Sequence, residues 1–157
     1  MWFWLAPLLV LGFLVVLVLL WRPVRSFGRS VQIERARELF TLQRDLLQDK
    51  FYQAAAASGK PRGLRWKNCQ WDGPAEFARD RRSGEIAALL PVTIQFEAVE
   101  GGDMEGLPAV GNLRNASAVF FYHRGHWQTV GKAVFNMNPD EALVHFKNQY
   151  ERIPWGN

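Results

Sequence analysis

Cysteine is almost missing from this chain: Cys69 is the single one in 157 residues. That excludes an intramolecular disulfide framework and agrees with a reducing compartment. Low-complexity tracts and internal repeats are lacking too. So are Gly-x-Ser-x-Gly, His-Glu-x-x-His, Cys-x-x-Cys, a phosphate-binding glycine loop and a dinucleotide fingerprint, which removes the motifs that announce common hydrolases, metalloenzymes and nucleotide-binding enzymes. The most telling lack is of charge. From Met1 to Trp21 (MWFWLAPLLVLGFLVVLVLLW) there is no charged side chain at all.

At about 1.5 Å per helical residue, such a run spans roughly 30 Å, the thickness of a bilayer hydrocarbon core. Trp2 and Trp4 stand at one end and Trp21 at the other, where indole rings favour the headgroup boundary. A cleaved secretory signal would have a basic start, a shorter apolar core and a small-x-small cleavage site. Here the run is longer, nothing basic precedes it and Trp21-Arg22-Pro23 follows, so the pattern predicts an uncleaved single-pass anchor over 1–21. Arg22, Arg25 and Arg29 follow directly. The positive-inside rule then predicts a cell (inner) membrane protein with its C-terminal domain in the cytoplasm. Much of the formal net charge of +4 lies in these arginines, and basic residues beside a membrane gain about 1 kcal/mol each from anionic lipid. With no nucleic-acid motif in the chain, the charge reads as membrane-facing; the expected partner is the bilayer, not nucleic acid.

Residues 22–29, with Pro23 and Gly28, form a basic linker to one small domain over 30–157. From Ser30 to Ser58, Ala36, Leu39, Phe40, Leu46, Leu47, Phe51 and Ala54 recur at three- and four-residue steps and predict a long amphipathic helix, stopped by Gly59 and Pro61. Leu64–Trp71 reads as a strand whose alternation changes phase. An extra residue near Lys67-Asn68 brings Leu64, Trp66, Cys69 and Trp71 to one face, as a β-bulge does. A short charged edge strand is expected over Phe77–Arg82. The longest strand signal is Glu85–Glu100, where Pro91 argues for a bulge or an edge. A loop from Gly101 to Arg114 leads to a hairpin, Ala116–His123 and His126–Met137, turning at Arg124-Gly125. Asn138-Pro139-Asp140-Glu141 announces a final helix, with Leu143, Phe146 and Tyr150 on its apolar stripe. The class is α+β: a long helix on about five curved antiparallel strands, with a short C-terminal helix. This element order resembles the cystatin-like and nuclear-transport-factor-2-like rolls, and such a resemblance implies fold, not function.

Few residues point to chemistry. His123 and His126 would share one face at the hairpin tip, close enough for a metal, yet no further His or Cys lies nearby in the sequence, and a metal centre wants three or four ligands. Turn-flanking histidines in solvent are the plainer expectation, and no cofactor is implied. Cys69 lies between Trp66 and Trp71 and reads as a small apolar core residue. Glu97, Glu100, Asp103 and Glu105 form an acidic run without Ca²⁺-loop spacing, a solvated loop or a protein-contact surface. An enzyme with a pocket between the long helix and the concave sheet face could use Asp80, Glu97 or Tyr122 as acid or base. Trp66, Phe96, Phe120, Trp127 and Phe135 would otherwise fill that space. Val119, Phe121, Val130 and Val134 leave the hairpin's opposite face apolar, which calls for a cover: the last helix or a partner. Together these features predict a membrane-anchored, non-catalytic binding module, an accessory or scaffold subunit of a membrane complex or a homo-oligomer. The alternative is a small-molecule-binding or enzymatic roll.

Overall fold

The computed structural model describes residues 29–155. The expected anchor over 1–21 and the interface residues Trp2, Trp4, Trp21, Arg22 and Arg25 lie outside the described residues; Arg29 is exposed in the first turn of a helix. Among the described residues, no helix is long and apolar enough to cross a membrane. The chain divides into two compact units, residues 1–38 and 39–157. In the first, residues 29–38 are helical and Arg37 pairs with Glu34 at 3.6 Å, one turn away.

Residues 29–42 (α1) and Arg44–Ala57 (α2) flank a single turn residue, Gln43. Helical hydrogen bonds run on across it, from Gln43 N–H to Leu39 O at 3.0 Å and from Leu47 N–H to Gln43 O at 2.9 Å. The long helix expected from Ser30 is therefore present. From Leu39 onward its buried side chains are Phe40, Leu47, Phe51 and Ala55. Leu46, expected in the stripe, is instead exposed, because it sits about 100° around the helix from Leu47.

Seven strands follow: β1 (Leu64–Trp71), β2 (Glu76–Asp80), β3 (Ile86–Ala98), β4 (Arg114–His123), β5 (His126–Gln128), β6 (Ala133–Phe135) and β7 (Tyr150–Arg152). They form one antiparallel sheet in the order β5-β4-β3-β2-β7, with β1 also beside β3 and β6 also beside β4. The expected bulge is where the sequence placed it. Trp66 pairs with Phe96 and Asn68 with Gln95, so Lys67 is the extra residue. Cys69 then pairs with Ile94 and Trp71 with Val92, which keeps Leu64, Trp66, Cys69 and Trp71 on one face.

Pro91 corrects its expectation. β3 is the central strand and stays in register with β4 through Pro91↔Ser117. The Pro91 carbonyl accepts from Asp72 N–H at 3.1 Å, so its N-side points at the turn between β1 and β2. The missing N–H costs no ladder bond there. β2 is likewise not an edge, since it lies between β3 and β7.

The two faces of β3 bury different cores. Ile86, Ala88, Leu90, Val92, Ile94 and Phe96 face the helices and are buried. There Phe40 meets Phe77, Phe120 and Trp127 at 5.6, 5.4 and 5.0 Å between ring centres, and Phe51 meets Trp66, Trp71 and Phe120 at 6.0, 5.4 and 5.8 Å. These spacings are those of favourable edge-on and tilted pairs. Ala87 and Leu89 face the other way and pack with Ala78, Ala142, Leu143 and Tyr150. The cover is α3 (Pro139–His145), whose start carries the expected capping box: Asn138 Oδ1 accepts from Glu141 N–H and Glu141 Oε2 from Asn138 N–H, both at 2.9 Å. Such caps contribute about 1 kcal/mol. α3 ends sooner than its apolar stripe suggested. A turn closed by Tyr150 N–H to Phe146 O at 2.8 Å redirects the chain into β7, which pairs with the otherwise open side of β2.

Candidate functional site

The hairpin tip forms as read. His123 pairs with His126 and Tyr122 with Trp127, across a turn with positive φ at Arg124 (49°) and Gly125 (86°). Glycine takes that conformation freely; Arg124 tolerates it. The His123 ring Nδ1 lies against Glu85 Oε1, so its nearest partner is a carboxylate rather than His126. Among the described residues, no three His, Cys, Asp or Glu groups converge on a point where a metal could sit.

The other candidate groups are held by structure. Asp80 caps the β2–β3 turn, accepting from the N–H groups of Ser83 at 3.0 Å and Arg82 at 2.8 Å. The Ser83 bond, then those of Arg82 and Gln149, outweigh partial desolvation and hold its carboxyl below the ordinary range. An acid so stabilised as the anion is a poor proton donor near neutrality. Tyr122 is buried against Trp127, ring centres 5.2 Å apart. Glu97 faces Arg65 at 3.5 Å. Cys69 is half-buried, and desolvation pushes its thiol up to about 11. The thiolate is the reactive form; alkylation of Cys69 by iodoacetamide at pH 8 is therefore expected at least about tenfold slower than that of free cysteine, measured by mass spectrometry. A rate equal to free cysteine would contradict the burial.

The four apolar hairpin residues separate. Val119 is buried, Phe121 and Val134 pack against the core under α3, and Val130 alone is open, 72% exposed. Val119 is therefore not a free surface, and Phe121 and Val134 are only partly so, because they pack against the cluster that contains Ala142 and Leu143 of α3. The return strand also breaks after Gln128. Thr129 Oγ1 donates to Val119 O at 3.0 Å, and pairing resumes at Ala133↔Ala118.

The acidic loop is an ordered succession of turns from Val99 to a 3₁₀ turn at Pro108–Gly111. Glu105 is spent within it, accepting from Gly101 N–H at 2.8 Å. Glu100 and Asp103 are exposed. In the same segment Leu107 and Leu113 stand 50% and 63% exposed, with Val99 and Met104 exposed to a lesser degree. Sequence reasoning noted the acids and missed these apolar neighbours. Their signal was present: large aliphatics in a segment whose glycines and Pro108 deny it a strand or helix to bury them.

One concavity was not foreseen. On the α3 side of the sheet, a groove of about 590 Å³ is lined by Asp72, Thr93, Asn115, Asn136 and Glu141 among others. The Thr93 hydroxyl sits between Asp72 Oδ2 at 3.0 Å and Asn115 Oδ1 at 3.3 Å, and Glu141 is engaged in the capping box. Two strands, β3 and β4, the turn after β1, the segment after β6 and the start of α3 contribute, which no local pattern could announce. It is a hydrogen-bonding surface, with its carboxylates already committed to neighbours. No protein-family model, curated protein or solved structure matches this chain, so the likeness to the two roll families remains one of element order.

Proposed function

We propose that this protein is a membrane-tethered binding module, an accessory or scaffold subunit that grips a protein partner through the loop after β3. The uncharged run over 1–21 and the arginines that follow support the tether and a cytoplasmic domain. The observation that carries the binding reading is the aromatic interior. Phe40, Phe51, Phe77, Phe120 and Trp127 interlock where an enzymatic roll would keep its main pocket. The contact surface in this reading is the exposed Leu107 and Leu113 together with the exposed Glu100 and Asp103 of the same loop, a mix of apolar and acidic side chains that suits a basic, apolar partner segment.

The full chain, extracted in mild detergent, is expected to bring a second protein with it in fixed ratio. Leu107→Ser with Leu113→Ser is expected to lower that recovery about tenfold while changing stability by less than about 0.5 kcal/mol, as for exposed positions generally. A strictly monomeric, partner-free protein would overturn the proposal. The tether has its own test: a reporter fused after Asn157 that works only outside the cytoplasm would reverse the topology.

A further inference from the structure

We infer that the opening at the C-terminal end of α2 is a binding site for a small aromatic carboxylate. The concave face is filled elsewhere, but here it stays open, with a cavity of about 420 Å³, within the usual range for small-molecule sites. Its apolar surface comes from Pro61, Trp66, Val130 and Phe135. The rings of Trp66 and Phe135 stand 6.5 Å apart and tilted 47°, with Phe96 backing both at 5.1 and 6.1 Å. Trp66 is also held at its edge, since its indole N–H donates to Lys60 O at 2.7 Å. A flat ring can enter against this floor in the offset or edge-on geometry that aromatic pairs prefer.

The polarity comes from two lysines. Lys60 and Lys132, the residue before β6, both line the cavity and are exposed. Among the described residues neither has an acidic partner. The last carbonyls of α2 are the obvious local sinks for their charge, and these already accept. Ser58 N–H meets Ala54 O at 3.1 Å, Ser58 Oγ meets Ala55 O at 2.6 Å, and Gly59 N–H meets Ala56 O at 3.5 Å. Two exposed lysines without an acidic partner, lining an apolar, aromatic cavity, match a ligand with a flat apolar body and one anionic end. For a ligand of this size the expected Kd is about 0.1–1 mM. The site is independent of the loop surface proposed above and can stand or fall without it.

Naphthalene-2-carboxylate is the probe, titrated into full-length protein labelled with 5-fluorotryptophan in zwitterionic detergent. The Trp66 ¹⁹F resonance, assigned through Trp66→Phe, is expected to shift saturably while the other tryptophan resonances hold still. Naphthalene-2-carboxamide, the same shape without the charge, is expected to bind about tenfold more weakly. Lys60→Gln with Lys132→Gln is expected to weaken the carboxylate by a similar factor and leave the amide unchanged, with the other tryptophan resonances reporting an intact fold. An unmoved Trp66 resonance overturns the inference. So does equal affinity for the amide, which would mean an apolar crevice without an anion site. Binding that depends on the lysines without moving Trp66 overturns it too, as mere surface attraction.

Discussion

Gly131→Ala is expected to cost at least about 3 kcal/mol, more than most single substitutions in a domain of this size. Gly131 has φ of 71°, where an L side chain pays roughly 1–2 kcal/mol. The larger part is steric. A Cβ at this position would stand 2.6 Å from Ala55 Cα and 2.7 Å from the Ala54 carbonyl carbon. Those are backbone atoms of α2, so no rotamer change relieves the collision, and the helix must lift from the sheet. Gly125→Ala separates the two effects. Gly125 has φ of 86° in open space, so only the conformational cost applies, about 1 kcal/mol. Urea unfolding of the full chain, followed by tryptophan fluorescence, measures both. Equal losses for the two variants would show that α2 can shift freely at Gly131.

Phe120→Ala is expected to lose about 3–5 kcal/mol, a large fraction of the 5–15 kcal/mol that holds most domains. Phe120 is fully buried at the centre of β4, and its ring meets those of Phe40 and Phe51. Removing it empties the middle of the aromatic layer, with helices on one side and a hydrogen-bonded sheet on the other, so the void cannot collapse. Its neighbour Phe121 faces α3 and is only partly buried; Phe121→Ala is expected to cost less. The reverse order in urea midpoint would move the main core to the other face. A loss under about 1 kcal/mol at Phe120 would reopen the pocket beneath the helices that the binding reading excludes.

Legibility followed the range of the interactions. Features closed within a few residues were readable in advance. The phase change in Leu64–Trp71 located the bulge at Lys67 because a strand's period of two leaves only one way to bury both halves. Asn138 and Glu141 announced the start of α3 through a cap completed across three residues. Arg124-Gly125 set the register that places His123 opposite His126. The ends of elements were harder. Phe146 and Tyr150 carry a helical spacing, yet a turn and the open side of β2 draw Tyr150 into a strand. Pro91 in a central strand is acceptable only because the chain on that side changes from β1 to β2.

The chain's own pattern therefore specified its α+β class, most of the buried helix stripe, most strand faces, the Arg124-Gly125 turn and the cap of the last helix, since periodicity and capping are properties of contiguous residues. The candidate sites were another matter. The polar groove joins Asp72, Thr93, Asn115 and Glu141 from four separate stretches, and the aromatic opening joins Lys60 to Lys132 across the helix end. Residues so far apart meet only through the order in which strands pair. That order is set by which faces and edges find partners in the packed domain, and no local run of residues encodes it.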